Sequence, residues 1–150
     1  MTVETVEVAI EVEVRYAETD QMGVVHHAVY PVWFEIARTA LCLRTGHSYA
    51  EIERSGYLLM VTGVHLRYLR PARYGETVHV TCRVARMASR ALAFDYTVER
   101  GEDGEGGDSE VLVTGTTEHL WVERSTGRPC RIPEALRPGF QGLTGAGDQR

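Results

Sequence analysis

The chain has 150 residues, of which 43% are hydrophobic and 25% are charged, and its formal net charge at pH 7 is −5. These values are ordinary for one globular domain, and the length is sufficient to bury a core without disulfide bonds. The acidic balance argues against a nucleic-acid-binding protein, and no apolar run approaches the length of a membrane span.

The first predicted element is a strand from Val6 to Tyr16, in which apolar residues alternate with mostly charged ones. This period of two is typical of a half-buried strand with one wet face. The acidic N-terminus is unlike a signal peptide, so we expect a cytoplasmic location. Asp20 and Gly23 lie in the polar stretch that follows and predict a loop.

A long helix is predicted from Ala28 to Arg44. Pro31 fits because it falls in the first turn, where no intrahelical N–H bond is needed. Apolar side chains cover most of the circumference, so we expect the helix to be surrounded by protein. Gly46 predicts its end, and residues 47–55 predict a short second helix.

Four strand-like segments follow. They run from Tyr57 to Leu69, from Val78 to Ala85, from Leu92 to Glu99 and from Val111 to Val122. Gly115 interrupts the last segment and predicts a bulge or bend. We expect these four strands to form an antiparallel meander within a single sheet that curls around the helix, which is an α+β fold.

Two further segments are predicted to lie outside the core. Residues 101–109 are acidic and rich in glycine, which predicts a solvated hairpin loop. The segment from Pro138 to Arg150 predicts a flexible tail, so we place the single domain at residues 1–137. One sheet and one helix leave edges and apolar surface uncovered, and a dimer that joins two sheets is therefore expected.

The cysteines predict neither a disulfide framework nor a zinc site. Cys42, Cys82 and Cys130 are odd in number, widely spaced and outside any CxxC or Cys/His pattern. We expect Cys42 and Cys82 to be buried reduced thiols.

Positive charge is concentrated in one stretch, because six arginines lie where the only acid is Glu76. They are Arg67, Arg70, Arg73, Arg83, Arg86 and Arg90. This excess suits a small polyanionic ligand better than a nucleic-acid duplex. The alternative is that each arginine merely occupies the solvent face of a strand.

The loop before the long helix is the candidate site. Helix N-termini carry unpaired N–H groups and partial positive charge, so the backbone at His27 or Ala28 is predicted to hold an oxyanion or polarise a carbonyl. Asp20 would then face the electrophile. The alternative for Asp20 is an Asx-turn or a cap residue.

Three blocks of sequence resemble a known family. The blocks are Val14–Tyr30, Phe34–Arg38 and Tyr68–Gly75. In this order and spacing they resemble the hotdog-fold acyl-CoA thioesterases, in the branch of 4-hydroxybenzoyl-CoA thioesterase and the YbgC-like group. The resemblance implies a long central helix wrapped by a five-stranded antiparallel sheet, with active sites at dimer interfaces and two dimers often joined in a tetramer. It also implies hydrolysis of coenzyme A thioesters without a metal or cofactor.

By this resemblance, Asp20 matches the catalytic aspartate, Tyr16 and His27 match positions beside it, and the helix start supplies the polarising N–H. Asp20 could act as a nucleophile or as a general base. His27 could orient the substrate, bind water or cap the helix. Tyr16 is expected to be half core and half pocket wall, and His26 to pack or face solvent. The adjacent histidines lack a third ligand at workable spacing, so no metal site is predicted.

The long helix carries one polar stripe, formed by Glu35, Arg38 and Thr39. Its simple interpretation is a buried or interfacial ion pair. A sister branch of the hotdog fold carries its catalytic acid on this helix, which makes Glu35 the rival of Asp20. The presence of Asp20 disfavours that role.

Arg70, Arg73, Arg86 and Arg90 are the candidates to bind the phosphates of coenzyme A, because guanidinium groups match phosphate oxygens. Residues 57–64 of a partner subunit are expected to line the acyl tunnel. We therefore expect an acyl-CoA thioesterase. One alternative is a hotdog domain that binds acyl-CoA without hydrolysing it, as a sensor or scaffold. Another is a dehydratase, which needs a histidine and acid arrangement that this loop does not show.

Overall fold

A computed structural model describes residues 5–101 and 109–145. The strands are β1 (Glu7–Glu13), β2 (Tyr57–Tyr68), β3 (Thr77–Met87), β4 (Ala91–Arg100) and β5 (Glu110–Glu123). The helices are α1 (Tyr30–Leu43), α2 (Tyr49–Arg54) and α3 (Arg137–Leu143), and a 3₁₀ turn at Tyr16–Glu18 follows β1. No helix among these residues is both long and apolar enough to cross a membrane.

The five strands form one antiparallel sheet in the order β1-β3-β4-β5-β2, and α1 packs across one face against β1 and β3. The predicted α+β class, with one long helix on a five-stranded antiparallel sheet, is confirmed. The inward side chains of β3 and β4 alternate with outward ones, as the sequence pattern indicates. The buried residues that follow this alternation are Val78, Val80, Cys82, Val84, Leu92, Phe94, Tyr96 and Val98, and Ala93 is buried as well.

The predicted four-strand meander is correct only for β3, β4 and β5. β2 pairs with β5 on the far side of the sheet and not with β3, which follows it in the chain. Residues 69–76 therefore cross the end of the sheet, where Val25 donates its backbone N–H to the carbonyl of Ala72 at 2.9 Å. The crossover leaves β2 as an edge strand.

The helix α1 buries only one face in the single chain. Its buried residues are Tyr30, Trp33, Phe34, Ala37, Arg38, Leu41 and Cys42. On the opposite face Val32, Ile36 and Leu43 remain about half exposed, at 52%, 48% and 57%. The expectation that protein surrounds this helix is therefore wrong for one chain, because the sheet covers one side only.

The ends of two elements differ from the predictions. β1 ends at Glu13 because the next residues enter the 3₁₀ turn. α1 begins at Tyr30 and not at Ala28, because residues 27–29 form a turn in which Val29 donates its N–H to the carbonyl of His26 at 2.9 Å. The predicted short second helix is confirmed as α2.

Gly115 does not form the predicted bulge. It pairs regularly with Tyr96 and Leu66, whereas the register shifts lie elsewhere in the sheet. A Cβ atom at this position would stand 2.5 Å from Cε2 of Phe34, far inside van der Waals contact. The glycine is therefore required by the close approach of α1 to β5.

The C-terminal segment is ordered further than predicted. Phe140 and Leu143 of α3 are buried, and the Phe140 ring packs edge-on against Trp121 with centroids 5.4 Å apart. The prediction of a flexible tail is wrong for residues 138–145, because two apolar side chains anchor them to the core. Residues 146–150, and residues 102–108 of the predicted acidic loop, lie outside the described part.

A polar cluster lies beneath α1. Arg38 donates from Nε to the hydroxyl of Tyr49 at 3.1 Å and from Nη1 to the hydroxyl of Tyr96 at 3.0 Å. Burial opposes the charge, yet the two tyrosines outweigh it and keep the pKa of Arg38 above its usual value. Within one chain the predicted ion pair on the helix stripe does not form, because Arg38 turns inward while Glu35 faces outward.

The cluster continues into β5. The hydroxyls of Tyr96 and Thr117 share a hydrogen bond of 2.6 Å, and Thr117 in turn lies 2.8 Å from Nε2 of His119. Burial, reinforced by the Arg38 charge, lowers the pKa of His119 to about 4. These groups join α1 to the middle of the sheet.

The prediction for the cysteines is confirmed for two of them. Cys42 and Cys82 are free and fully buried, and burial raises the pKa of the Cys42 thiol to about 11. A thiol with so high a pKa is a poor nucleophile at neutral pH. Both residues therefore act as small apolar side chains of the core.

Candidate active site

The segment between β1 and α1 folds into a tight turn. Thr19 bridges to Val25, and Asp20 donates its backbone N–H to the carbonyl of Val24 at 2.9 Å. Gly23 has a φ of +78°, a left-handed conformation that glycine adopts without strain. The turn therefore projects from the end of the sheet just before the helix begins.

Asp20 forms the Asx-turn that the sequence left open. Its Oδ1 accepts the backbone N–H of Met22 at 2.8 Å, and the residue is half-buried. Among the described residues no donor bonds to Oδ2. One carboxylate oxygen is thus oriented by the turn, while the other is available to a ligand.

Glu18 is buried beside this turn. Its Oε2 accepts the indole N–H of Trp33 at 2.9 Å, and its Oε1 accepts the backbone N–H of Arg15 at the same distance. Burial raises the pKa of Glu18, but the hydrogen bonds from Arg15 and Trp33, with the charge of Arg15, outweigh it and hold this pKa below its ordinary value of 4.5. The side chain is therefore a buried carboxylate at neutral pH.

The turn that leads into α1 presents free backbone donors. The His27 and Tyr30 N–H groups have no acceptor within the described ranges. The Ala28 N–H is bonded to Nδ1 of the exposed His26 side chain at 3.2 Å. Of the two donors predicted for an oxyanion, the one on His27 is free in this structure and the one on Ala28 is engaged.

A solvent-open cavity of about 270 Å³ lies at this end of α1. Its lining residues are Val25, His27, Tyr30, Tyr68, Leu69, Arg70 and Pro71. The Tyr68 hydroxyl donates to the carbonyl of His27 at 2.8 Å, and the Tyr68 ring packs edge-on against Tyr30. The cavity therefore joins the start of the helix to the end of β2.

The structure brings some predicted site residues to this cavity and not others. His27 and Arg70 line it, whereas Asp20 and Tyr16 do not. Tyr16 is 78% exposed and contacts Tyr74, so it is not the half-buried wall that we expected. Tyr16 is exposed because it lies at the start of the 3₁₀ turn, in which Glu18 and not Tyr16 faces the core.

The histidine pair stacks at the surface. The rings of His26 and His27 lie 4.2 Å apart with a tilt of 34°. Across residues 5–101 and 109–145, no three or more His, Cys, Asp or Glu side chains come together in a group that could hold a metal ion.

The four candidate phosphate ligands fall at two ends of the sheet. Arg70 and Arg73 precede β3, while Arg86 and Arg90 lie at its other end. The length of the strand between the two pairs is about 30 Å, because each residue of a strand adds about 3.3 Å. Arg70 forms a 2.8 Å ion pair with Glu110. Arg86 lines a separate cavity of about 630 Å³ between β3 and α3. Within one chain, the two pairs cannot contact the same phosphate.

The rival acid lies away from the cavity. Glu35 is exposed on the outer face of α1, and the Thr39 hydroxyl donates to the backbone carbonyl of Glu35 at 2.8 Å.

Two residues of the site, Glu18 and Tyr68, were not identified from the sequence. Glu18 could have been found, because a Trp in the first turn of a buried helix needs an acceptor for its indole N–H. Tyr68 carried no local signal, because its contact with His27 joins residues 41 positions apart.

Comparisons with known proteins point to one family. The model of the thioesterase-like superfamily matches residues 14–140. A Bacillus subtilis protein named "Putative acyl-CoA thioesterase YneP" is 34% identical over 126 residues, which cover 84% of this chain and 87% of that protein.

Two solved structures are also similar. The DHNA-CoA thioesterase from Staphylococcus aureus is 32% identical, with a TM-score of 0.80, over 91% of this chain and 87% of that one. The hypothetical protein TT1821 from Thermus thermophilus is 43% identical, with a TM-score of 0.81, over 90% and 98%. The hotdog fold implied by the sequence is thereby confirmed.

The ionised Glu18 makes stability depend on pH. Because folding lowers the pKa of Glu18, its contribution to the free energy of unfolding is present above pH 4.5 and is lost as the pH falls below it. We predict that Glu18→Gln lowers the stability measured by urea unfolding at pH 7, and that the difference from wild type shrinks towards pH 3. Glu35→Gln, at an exposed carboxyl on α1, serves as the control and should leave the stability at pH 7 close to that of wild type. A constant Glu18→Gln difference across this range would contradict the assignment.

Proposed function

The chain belongs to the thioesterase-like superfamily, and on this basis we propose that it is an acyl-CoA thioesterase that releases a free acid and coenzyme A. The observation that carries the proposal is the turn that holds Asp20 and ends at the unpaired N–H of His27, beside a cavity. A carboxylate and an N–H donor in one turn are the two groups that thioester hydrolysis requires.

The N–H of His27 polarises the thioester carbonyl in this proposal. It opens the turn into α1, where the partial positive charge of the helix favours a developing oxyanion. Removing one such donor typically costs about 3–4 kcal/mol of activation free energy. The Ala28 N–H becomes a second donor when the exposed His26 side chain rotates away from it.

Asp20 supplies the carboxylate. With Oδ1 held by Met22, the free Oδ2 can attack the carbonyl carbon and expel the coenzyme A thiolate, which gives a mixed anhydride that water then hydrolyses. Alternatively, Oδ2 takes a proton from a water molecule as that water attacks. Both routes use the same oxygen and the same oxyanion donor. Tyr16 and His27 remain candidates to position the substrate or the water.

A second chain is part of the proposal, because Asp20 does not line the cavity of the single chain. The edge strand β2 exposes Met60, Val61 and Val64, at 47%, 45% and 44%. An unpaired edge with apolar side chains is suited to pairing with another strand. We propose a homodimer through β2, in which residues 57–64 of one chain line the acyl tunnel of the other. The exposed apolar face of α1 offers a further surface for a dimer of dimers.

The arginines are proposed to bind the phosphates of coenzyme A. Arg70 is the best placed within one chain, because it lines the cavity, although the phosphate must displace Glu110 from it. Arg73, Arg86 and Arg90 are exposed. Because Arg86 and Arg90 lie at the far end of β3, they would serve the active site of the partner in an antiparallel dimer.

A binding protein that does not hydrolyse acyl-CoA is the second candidate. The Asx-turn favours it, because an aspartate that only shapes a turn needs no chemical role. Measured release of thiol by the wild-type protein decides between the two.

We predict that Asp20→Asn lowers kcat/KM for acyl-CoA by about 10²-fold or more, because the amide neither attacks nor takes a proton. Its oxygen can still accept the Met22 N–H, so circular dichroism and Tm should match wild type. The control is Glu35→Gln, which should retain the wild-type rate. Near-normal thiol release by Asp20→Asn would remove Asp20 from the mechanism.

Phosphate binding is tested with two double variants, Arg70→Ala/Arg73→Ala and Arg86→Ala/Arg90→Ala. We predict that KM for acyl-CoA rises about tenfold when charged hydrogen bonds are lost, while KM for the matching acyl-pantetheine changes little. Arg128→Ala, at an exposed arginine outside the set, is the control. Equal effects on both substrates would rule out a phosphate contact.

The dimer is tested at the edge strand. We predict that wild type elutes as a dimer or larger in size exclusion with light scattering, and that Val64→Lys shifts it towards the monomer with loss of activity, because a charge on the edge opposes strand pairing. Ala9→Lys places the same charge on the other edge strand, β1, and should not change the mass. A monomeric wild type would contradict the shared site.

A further inference from the structure

We propose that Glu18 is the positioning residue that holds the Asp20 turn against the first turn of α1. The kinetic consequences of this inference rest on the proposed function. The positional claim rests on the contacts of Glu18 alone.

Within the described residues, Glu18 accepts three hydrogen bonds from three parts of the chain. Its side chain accepts the N–H of Arg15, before the turn, and the indole N–H of Trp33, in α1. Its backbone carbonyl accepts the N–H of His26, after the turn, at 2.9 Å. One residue therefore connects both ends of the turn to the helix, and His26 immediately precedes the proposed oxyanion donor.

The turn has few other attachments. The hydrogen bonds of Asp20 and Gly23 are internal to it, since they join Asp20 to Val24 and to residues 22 and 23. Beyond Glu18, the described residues attach it to the rest of the fold mainly where Val24 and Val25 meet the segment after β2. Internal bonds preserve the shape of the turn but not its distance from α1. The direct contact between the turn segment and α1 is the one from Glu18 to Trp33, and the segment after β2 adds an indirect one, because Ala72 donates its N–H to the Tyr30 hydroxyl at 3.3 Å.

Trp33 gives this contact a fixed anchor. Its side chain is only 1% exposed, and its ring packs edge-on against Tyr30 at 5.1 Å. A rigidly packed indole can offer its N–H in one direction only. Glu18, at 6% exposure, is buried against it. The hydrogen bond between Glu18 and Trp33 therefore fixes the turn relative to the first turn of α1.

A purely structural role predicts a different outcome. If Glu18 only satisfied a buried indole, breaking the contact would lower overall stability in the same way as breaking any buried hydrogen bond. If Glu18 positions the turn, the loss should appear in the chemical step, because small displacements of reacting groups strongly reduce rates. The two roles are distinguished by kcat measured per folded molecule, which falls if Glu18 positions the turn and stays near the wild-type value if Glu18 only contributes to stability.

The experiment compares Trp33→Phe with Tyr96→Phe. The first removes the indole N–H from Glu18 and retains an aromatic ring. The second removes a hydroxyl of similar burial, from the Arg38 cluster in the core. We expect Trp33→Phe to lower kcat at least about tenfold with little change in KM, and Tyr96→Phe to lower Tm without a comparable loss of kcat.

A double-mutant cycle identifies the contact. Glu18→Ala, Trp33→Phe and the double variant should show losses in kcat that are far from additive, because all three remove the hydrogen bond between Glu18 and Trp33. Additive losses would overturn the proposal. So would a loss of kcat in Trp33→Phe no larger than that in Tyr96→Phe at equal stability.

Amide hydrogen exchange supplies a readout that is independent of activity. In Trp33→Phe the amides of residues 20–26 should exchange faster, while those of β3 and β4 stay unchanged. Tyr96→Phe should not show this local effect. Unchanged exchange in the turn of Trp33→Phe would overturn the inference. Absence of thiol release by wild type would overturn the proposed function alone, since the exchange result would still decide the role of Glu18.

Discussion

Burial of the Glu18 carboxylate beside the indole of Trp33 is the constraint on which the candidate site depends. A buried charge is costly unless hydrogen bonds replace its water, and here each carboxylate oxygen accepts one N–H. These two bonds can form together only when the end of β1 and the first turn of α1 stand at one separation. The Asp20 turn lies between them in the chain, so its position relative to the helix follows from that separation.

The crossover between β2 and β3 has two consequences for function. It carries residues 69–73 across the end of the sheet, where they pack against Val25 and form one wall of the cavity. It also places β2 at the edge, paired with β5 on one side only and with the apolar side chains of Met60, Val61 and Val64 exposed. The same topological step therefore creates both the cavity beside α1 and the surface proposed to bring a second chain to it.

The Arg38 cluster sets which side of α1 faces the sheet. Arg38 donates to the hydroxyls of Tyr49 and Tyr96 from the side of α1 that faces the sheet. In the observed rotation Phe34 stacks on Tyr96 with centroids 4.2 Å apart and lies over Gly115. This rotation leaves Val32 and Ile36 outside, and it exposes Glu35, the rival acid.

Local patterns alone determined the strands, the long helix, the loop that carries Asp20 and the concentration of arginines in one stretch of sequence, but not the separation of those arginines between two ends of the sheet. Alternation, capping and turn residues act over a few positions, so these features are readable in order along the chain. Only the tertiary structure decided the pairing of β2 with β5, the inward turn of Arg38, the burial of Glu18 and the anchoring of α3. The physical reason is that each depends on partners far apart in sequence, such as Glu18 with Trp33 at 15 positions and Arg38 with Tyr96 at 58. No local period records which distant residues will satisfy a buried polar group.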